Sequence, residues 1–144
     1  MKKAVFIPKK LVEDSLSQIP VNGKNRLNPF FNFSTQNQLP VIIFENHNVG
    51  PGNAEAMIHE KFGELFLCIQ GVTTFITGGT LQNPVLDKDD AGNDVPGEWR
   101  GVKISGGDII ILREGDSLWI PADVPHQQIC SRGTSRVFRI KIPA

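Results

Sequence analysis

The sequence predicts an all-β protein, a sandwich or jelly roll behind an N-terminal arm, and three observations carry that prediction. From Val41 onward, β-branched and aromatic residues gather in short runs. Glycine or proline punctuates nearly every boundary between them, and no convincing long helical pattern interrupts them. Many short strands with such punctuation must bury one face each, which they do by packing as two sheets or by closing on themselves.

At 144 residues the chain is expected to be one domain, and a domain of that size buries roughly two-thirds of the surface its unfolded chain exposes. Fifteen basic and fifteen acidic residues cancel, so the overall charge favours neither nucleic acid nor an anionic membrane as partner, and a small molecule fits better. The opening Met-Lys-Lys-Ala-Val-Phe-Ile has an apolar stretch only from Ala4 to Ile7, too short for a signal peptide or a membrane span, which predicts a cytoplasmic protein. Cys68 and Cys130 both sit inside apolar strand patterns and read as buried free thiols.

Residues 1–40 form the arm. Lys9 to Ile19 has a short helical pattern with Leu11, Val12, Leu16 and Ile19 on one side, and a Pro/Asn-rich passage follows from Pro20 to Pro40. The aromatic run Phe30-Phe31-Asn-Phe33 reads equally well as a strand. Such an arm packs across a sheet or onto a neighbouring subunit. Residues 41–144 form the main domain, with strands expected at Val41–Glu45, Ala54–His59, Glu64–Gln70, Thr73–Thr77, Ile109–Leu112, Ser117–Ile120, His126–Cys130 and Val137–Ile142. The polar span at about 80–106 reads as a long surface loop or solvated hairpin, with Trp99 anchoring its return. Its Asp87, Asp89, Asp90 and Asp94 miss the regular spacing of a calcium loop.

Alternation along Glu64–Gln70 places Glu64, Phe66 and Cys68 on one face and Leu65, Leu67 and Ile69 on the other. Both faces are apolar, which predicts cover by a second subunit, a homodimer, or by the arm alone.

Two stretches carry chemistry. Gly115-Asp-Ser-Leu-Trp-Ile-Pro121-Ala-Asp123-Val-Pro125-His126 ends a strand in a proline-stiffened turn that aims one imidazole. His59-Glu-Lys-Phe-Gly-Glu64 supplies a second imidazole and a carboxylate, before a strand that closes on Gly71. Singly, each residue reads as ordinary: a strand histidine, a turn histidine, a solvated carboxylate. Jointly they form a ligand set, because a glutamate aimed into a barrel needs a cation or donors beside it.

These stretches resemble the two motifs of the cupin superfamily. His59, Glu64 and Gly71 fall in the register of the first, and Gly115, Pro121 and His126 in that of the second. The resemblance runs from Val41 to the end and implies a double-stranded β-helix, the jelly-roll barrel, holding a metal. Three positions depart from it: Met57 stands where the first motif histidine would be, Asp123 where a glycine would be, and Cys130 where an asparagine often is. Aspartate tolerates left-handed turn geometry, so Asp123 is a mild change. Met57 is not, because a thioether is a poor ligand for hard or borderline ions.

The implied ligand set is thus His59, Glu64 and His126, three protein ligands that leave positions open for substrate, dioxygen or water. The segment Ile111 to His126 also resembles part of the cupin ring-cleaving dioxygenases of the 3-hydroxyanthranilate type. The chain as a whole resembles small cupins of unassigned function. Alternation puts Glu55 and Met57, and Gln128 and Cys130, on the ligand face. Met57, Phe66 and Gln128 are the expected substrate-binding residues, with Trp119 adding to the apolar wall and His47 in an exposed turn outside the site.

The leading expectation is a divalent-metal cupin, with iron, manganese, nickel or zinc, that binds a small organic molecule as an oxygenase or isomerase. The rival is a metal-free module that binds a sugar or carboxylic acid without catalysis.

Overall fold

The computed structural model describes residues 2–144. Twelve strands and two short helices follow the order α1 (Lys9–Leu16), β1 (Gly23–Arg26), α2 (Phe30–Gln36), β2 (Val41–Val49), β3 (Ala56–His59), β4 (Phe62–Gln70), β5 (Thr73–Thr77), β6 (Thr80–Leu81), β7 (Val85–Lys88), β8 (Asp94–Gly101), β9 (Ile104–Ser105), β10 (Asp108–Leu112), β11 (Ser117–Ile120) and β12 (His126–Pro143). All the strand pairings are antiparallel.

The eighteen-residue strand β12 organises the sheets. Its first part pairs with β3 and β5, and through them with β8, β7 and β10. Its second part pairs with β2 and β4, and through them with β1 and β11. The register slips between Cys130 and Thr134, where an irregularity lets one strand turn from one sheet into the other. Gly71, at φ +76°, closes the turn after β4 against this bend, and a Cβ there would stand 2.1 Å from the Thr134 carbonyl oxygen. Only glycine meets both demands.

Between the sheets lies a core of Ile42, Phe44, Phe66, Cys68, Phe75 and Val137, with Leu112 and Ile120. Glu64, Phe66 and Cys68 share the inward face of β4, as alternation requires, and both cysteines are free and buried. The predicted His126–Cys130 and Val137–Ile142 strands are the two ends of β12. The polar span at 80–106 is built on the hairpin β7–β8, whose second strand pairs with β3 and extends the sheet. Trp99 does anchor it, donating to Glu60 Oε1 at 3.0 Å.

The arm lies on the outer face of β2. Leu27, Phe30 and Ile43 form a second buried cluster, packed by Leu11, Val12, Leu16, Ile69 and Phe138. The aromatic run is helix α2 rather than a strand, and from it Phe30 enters the outer cluster while Phe31 packs on the inner one. Ser15, fully buried, ties the two helices by donating to the Leu11 carbonyl and accepting from the Phe30 N–H. The arm also contributes β1, which pairs with β2.

A buried ion pair fastens this arrangement. Arg136 Nη2 lies 2.8 Å from Glu45 Oε1 and its Nε 3.1 Å from the same oxygen. The guanidinium donates further to the carbonyls of Leu16 and Gln18 and to Gln70 Oε1. Arg136→Ala strands the Glu45 carboxylate in the interior, so a loss of about 3–5 kcal/mol in urea unfolding is expected, with early hydrogen exchange in α1. A loss below about 1 kcal/mol would show that the pair is dispensable.

Candidate metal centre

Three strands deliver the candidate ligands. His59 ends β3, Glu64 lies near the start of β4 and His126 opens β12, and all three are buried. The turn before His126 is held in place by Asp123, whose φ of +68° is the left-handed conformation expected there. Its N–H donates to the His59 carbonyl at 2.8 Å, so one hydrogen bond couples the two histidine-bearing segments. Phe62 stacks on the His59 ring with centroids 4.4 Å apart.

His59 Nε2 and His126 Nε2 lie 3.0 and 2.9 Å from the same atom, Glu64 Oε1. The other ring nitrogens decide what those contacts mean. His126 Nδ1 is 3.1 Å from the Val124 carbonyl, which has no proton to give, so Nδ1 is the donor. His59 Nδ1 is 2.8 Å from Glu98 Oε2, and a carboxylate likewise only accepts. In neutral imidazoles both Nε2 atoms therefore carry lone pairs, and these approach a carboxylate oxygen that has its own.

Three lone pairs gathered in a buried site repel one another unless a proton or a cation stands among them. Glu64 Oε1 has no hydrogen-bond partner of acceptable geometry despite its close neighbours. The candidate ligand atoms lie within 4.8 Å of one another. Ligands of a single ion stand about 3 Å apart when bonds of about 2.1 Å meet near right angles. Two imidazole nitrogens and one carboxylate oxygen suit divalent transition ions. His59, Glu64 and His126 thus form a buried cluster able to hold a divalent metal.

The cluster faces a cavity of about 720 Å³, within the range of small-molecule sites. Met57, Phe66 and Gln128 line it, as does Glu55. Met57 is the cross-strand partner of His126. Cys130 does not reach the cavity, because it sits at the bend of β12, where its thiol lies 3.6 Å from the carbonyls of Val72 and Gly133. Trp119 is 48% exposed on the outer face of β11, since it is Leu118 and Ile120 that turn inward there. His47 lies within β2 rather than in a turn, on the same outward parity as Ile43 and Glu45, and its Nδ1 is 2.7 Å from the Thr134 hydroxyl.

The aspartates of the hairpin have local roles: Asp89 accepts from the Ala91 and Asn93 N–H groups, Lys88 pairs with Asp94, and Asp87 lies 3.7 Å from Arg100.

Several residues at the site escaped the sequence reading. Glu98 is the direct cross-strand partner of His59 on β8. Arg139 Nη1 lies 3.5 Å from Glu64 Oε2. Lys24, Arg26 and Lys141 line the same cavity.

No family model and no curated protein matches the chain. Solved structures do. An oxalate oxidase structure superimposes with a TM-score of 0.50 at 16% identity, covering 90% of this chain and 57% of that one. Peruvianin-I, a cysteine peptidase from Thevetia peruviana latex, gives 0.51 at 13% identity over 99% and 78%. E. coli ycfD gives 0.51 at 15% identity over 90% and 36%. This chain thus spans little more than half of the oxalate oxidase chain and about a third of ycfD. The fold is that of the cupins. At these identities the likeness speaks for the cupin fold alone, and a peptidase among such neighbours illustrates why a cupin barrel does not name a chemistry. Among the described residues, no helix is long and apolar enough to cross a membrane.

Protonation of this site follows from its geometry. Burial disfavours a charged His59, but the adjacent carboxylates of Glu64, then Glu98, outweigh burial and raise its pKa. Burial also opposes ionisation of Glu64, yet His126 and His59 hold its carboxyl well below the usual carboxylate range. A raised histidine pKa stabilises fully below about pH 6.5 and loses that contribution as pH rises through the folded value. A depressed carboxyl stabilises above about pH 4.3 and loses it as pH falls. Metal-stripped protein should therefore melt at its highest temperature in weak acid and at lower temperature by about pH 8, with a divalent ion removing the alkaline decline because it replaces the proton. A melting temperature independent of pH over this range, with and without metal, would contradict the assignment.

Glu98→Gln keeps the shape but removes the carboxylate that orients His59. A 10–100-fold weaker metal affinity is expected by competition titration with a chelating dye, with folding intact by circular dichroism. Unchanged affinity would show that Glu98 does not set the tautomer.

Proposed function

We propose that this cupin is a metal-dependent enzyme, an oxygenase or isomerase that holds iron, manganese, nickel or zinc on His59, Glu64 and His126 and a small organic molecule in the adjoining cavity. The observation that carries this reading is the approach of two imidazole Nε2 atoms, at 3.0 and 2.9 Å, to one buried carboxylate oxygen. His59, Glu64 and His126 would hold such an ion with positions left for substrate or water, and it would supply Lewis-acid chemistry there.

The chain's own residues prepare that site. Arg139 engages Glu64 Oε2, which leaves Oε1 as the oxygen presented to the histidines. Glu98 and the Val124 carbonyl keep the protons of both imidazoles on Nδ1. Phe66 and Met57 give the cavity an apolar wall, and the buried Gln128 gives it a polar one. Lys24 keeps exposed surface but presents it to the cavity. Burial among protein atoms lowers its pKa to about 8, against the partial support of Glu64.

Metal analysis is the direct test. Full-length protein offered iron, manganese, nickel or zinc and then desalted should retain close to one equivalent of at least one of them. His126→Ala and Glu64→Gln should each lose it while keeping the β circular-dichroism spectrum. Wild-type protein that retains none of the four would leave the metal-free binding module as the better reading.

A further inference from the structure

The charges around the cavity are partitioned. Four acidic side chains line it, and each already has a basic partner: Glu64 has His59, His126 and Arg139, Glu98 has His59, and Glu55 and Asp87 lie 3.6 and 3.7 Å from Arg100. Four cationic side chains line it too, and they sit together on one wall. Lys24 and Arg26 come from alternate positions of β1, and Arg139 and Lys141 from alternate positions of β12. Lys24 Nζ lies 4.4 Å from the centroid of Phe44, and Arg139 Cζ 5.1 Å from that of the same ring.

Among the described residues, Lys24, Arg26 and Lys141 have no carboxylate in ion-pair contact, and Arg139 has only the metal-site glutamate. Gathering like charges against aromatic rings in a concavity costs free energy that an anion there would recover.

A second, independent feature adjoins this wall. A recess of about 210 Å³ is lined by Lys24, Asn46, Asn53, Glu55, Met57 and Gln128, several of which it shares with the main cavity. Asn46 is 0% exposed and neither its Oδ1 nor its Nδ2 has a partner. Gln128 is 6% exposed, and while its Nε2 donates to the Thr73 hydroxyl, its Oε1 has no partner. Buried amides in a folded protein are almost always satisfied. One unpaired donor and two unpaired acceptors at one recess call for a ligand that can both accept and donate. A hydroxyl group does so.

We infer that the ligand of this cavity is a small polyhydroxylated organic acid, of the sugar-acid class, with its carboxylate on the Lys24–Arg26–Arg139–Lys141 wall and a hydroxyl in the Asn46–Gln128 recess. The inference deepens the proposed function and rests on the cavity being its ligand site.

The test is calorimetric titration of the full chain, metal-loaded and metal-stripped, with D-gluconate and D-galacturonate as probes. D-Glucose, which lacks the carboxylate, and hexanoate, which lacks the hydroxyls, serve as controls. At least one of the acids should bind more tightly than either control. Lys24→Met should weaken that acid about tenfold or more and steepen no other dependence, while leaving metal content at the wild-type level. Gln128→Met should weaken the acid and leave hexanoate unchanged. Equal binding of an acid and a control, wild-type affinity in Lys24→Met, or no binding of either acid would overturn the inference. Metal content separates it from the reading above: acid binding that depends on Lys24 in a protein that retains no metal sinks the metal enzyme and leaves this inference standing. Metal retained without acid binding does the reverse.

Discussion

The Arg136–Glu45 pair holds the arm, and the arm supplies half of the cavity's cationic wall. Both side chains are nearly inaccessible, at 7% and 1% exposure, so the pair must recover a large desolvation cost through hydrogen bonds. It does so by drawing in the arm. The guanidinium donates to the carbonyls of Leu16, the last residue of α1, and Gln18 just beyond it, and Glu45 Oε2 accepts from the Val21 N–H and the Asn25 side chain. Those contacts fix the chain on both sides of residues 22–24, so β1 can pair with β2 only in the register that sets Lys24 opposite Asn46 and Arg26 opposite Phe44. Strand β2 serves two compartments by parity alone: Ile43 and Glu45 meet the arm, and Ile42 and Phe44 meet the barrel core. Part of the apolar surface expected to need a second subunit is covered this way, since Ile69 and Phe138 pack beneath the arm helices.

A comparable economy holds in β12. Its first residue is a candidate metal ligand, and its thirteenth and fifteenth positions beyond that, Arg139 and Lys141, look into the same cavity. A straight strand could not do this, because residues that far apart stand about 40 Å from one another at 3.3 Å per residue. The slip between Cys130 and Thr134 folds the strand into both sheets and brings its ends to one space. Gly71 and the Thr134 carbonyl, in near contact, form the inside of that bend. The same bend removes Cys130 from the cavity that unbroken alternation would have given it.

What could be read from the sequence was local or fixed by spacing. The alternation in Glu64–Gln70 assigned Phe66 and Cys68 inward, and the interval from Gly115 to His126 described a turn in which Asp123 does adopt a left-handed conformation. What could not be read depends on pairing across long separations. Glu98 reaches His59 only because β8 pairs with β3, and nothing in a polar hairpin sequence announces which strand it will join. Strand β1 was hidden because Gly-Lys-Asn-Arg has no strand signature; its extended form is imposed by β2 and by the hydrogen bonds around Glu45. Trp119 was misplaced for a different reason. In Ser117–Ile120 both alternating sets contain large apolar residues, so parity cannot choose between them, and packing of Leu118 and Ile120 against the core decides it.

The substitution of Met57 for a motif histidine ties these points together. Met57 faces His126 across the β3–β12 pair, and a third imidazole there would add another lone pair to a cluster that already holds three within a few ångströms. A thioether makes no such demand, since it is apolar and needs no partner when buried. The site therefore keeps two imidazoles and one carboxylate, and its remaining side borders the cavity rather than another protein ligand. That border is where Met57 and Gln128 meet the recess holding Asn46. With Met57 in that position, the candidate metal cluster adjoins the polar recess. The acids lie against His59, His126 and the arginines, while among the described residues Lys24 of β1 and Lys141 of β12 have no ion-pair partner. The cavity lining carries four acidic and four basic side chains, so a divalent ion on His59, Glu64 and His126 would turn a balanced lining net positive.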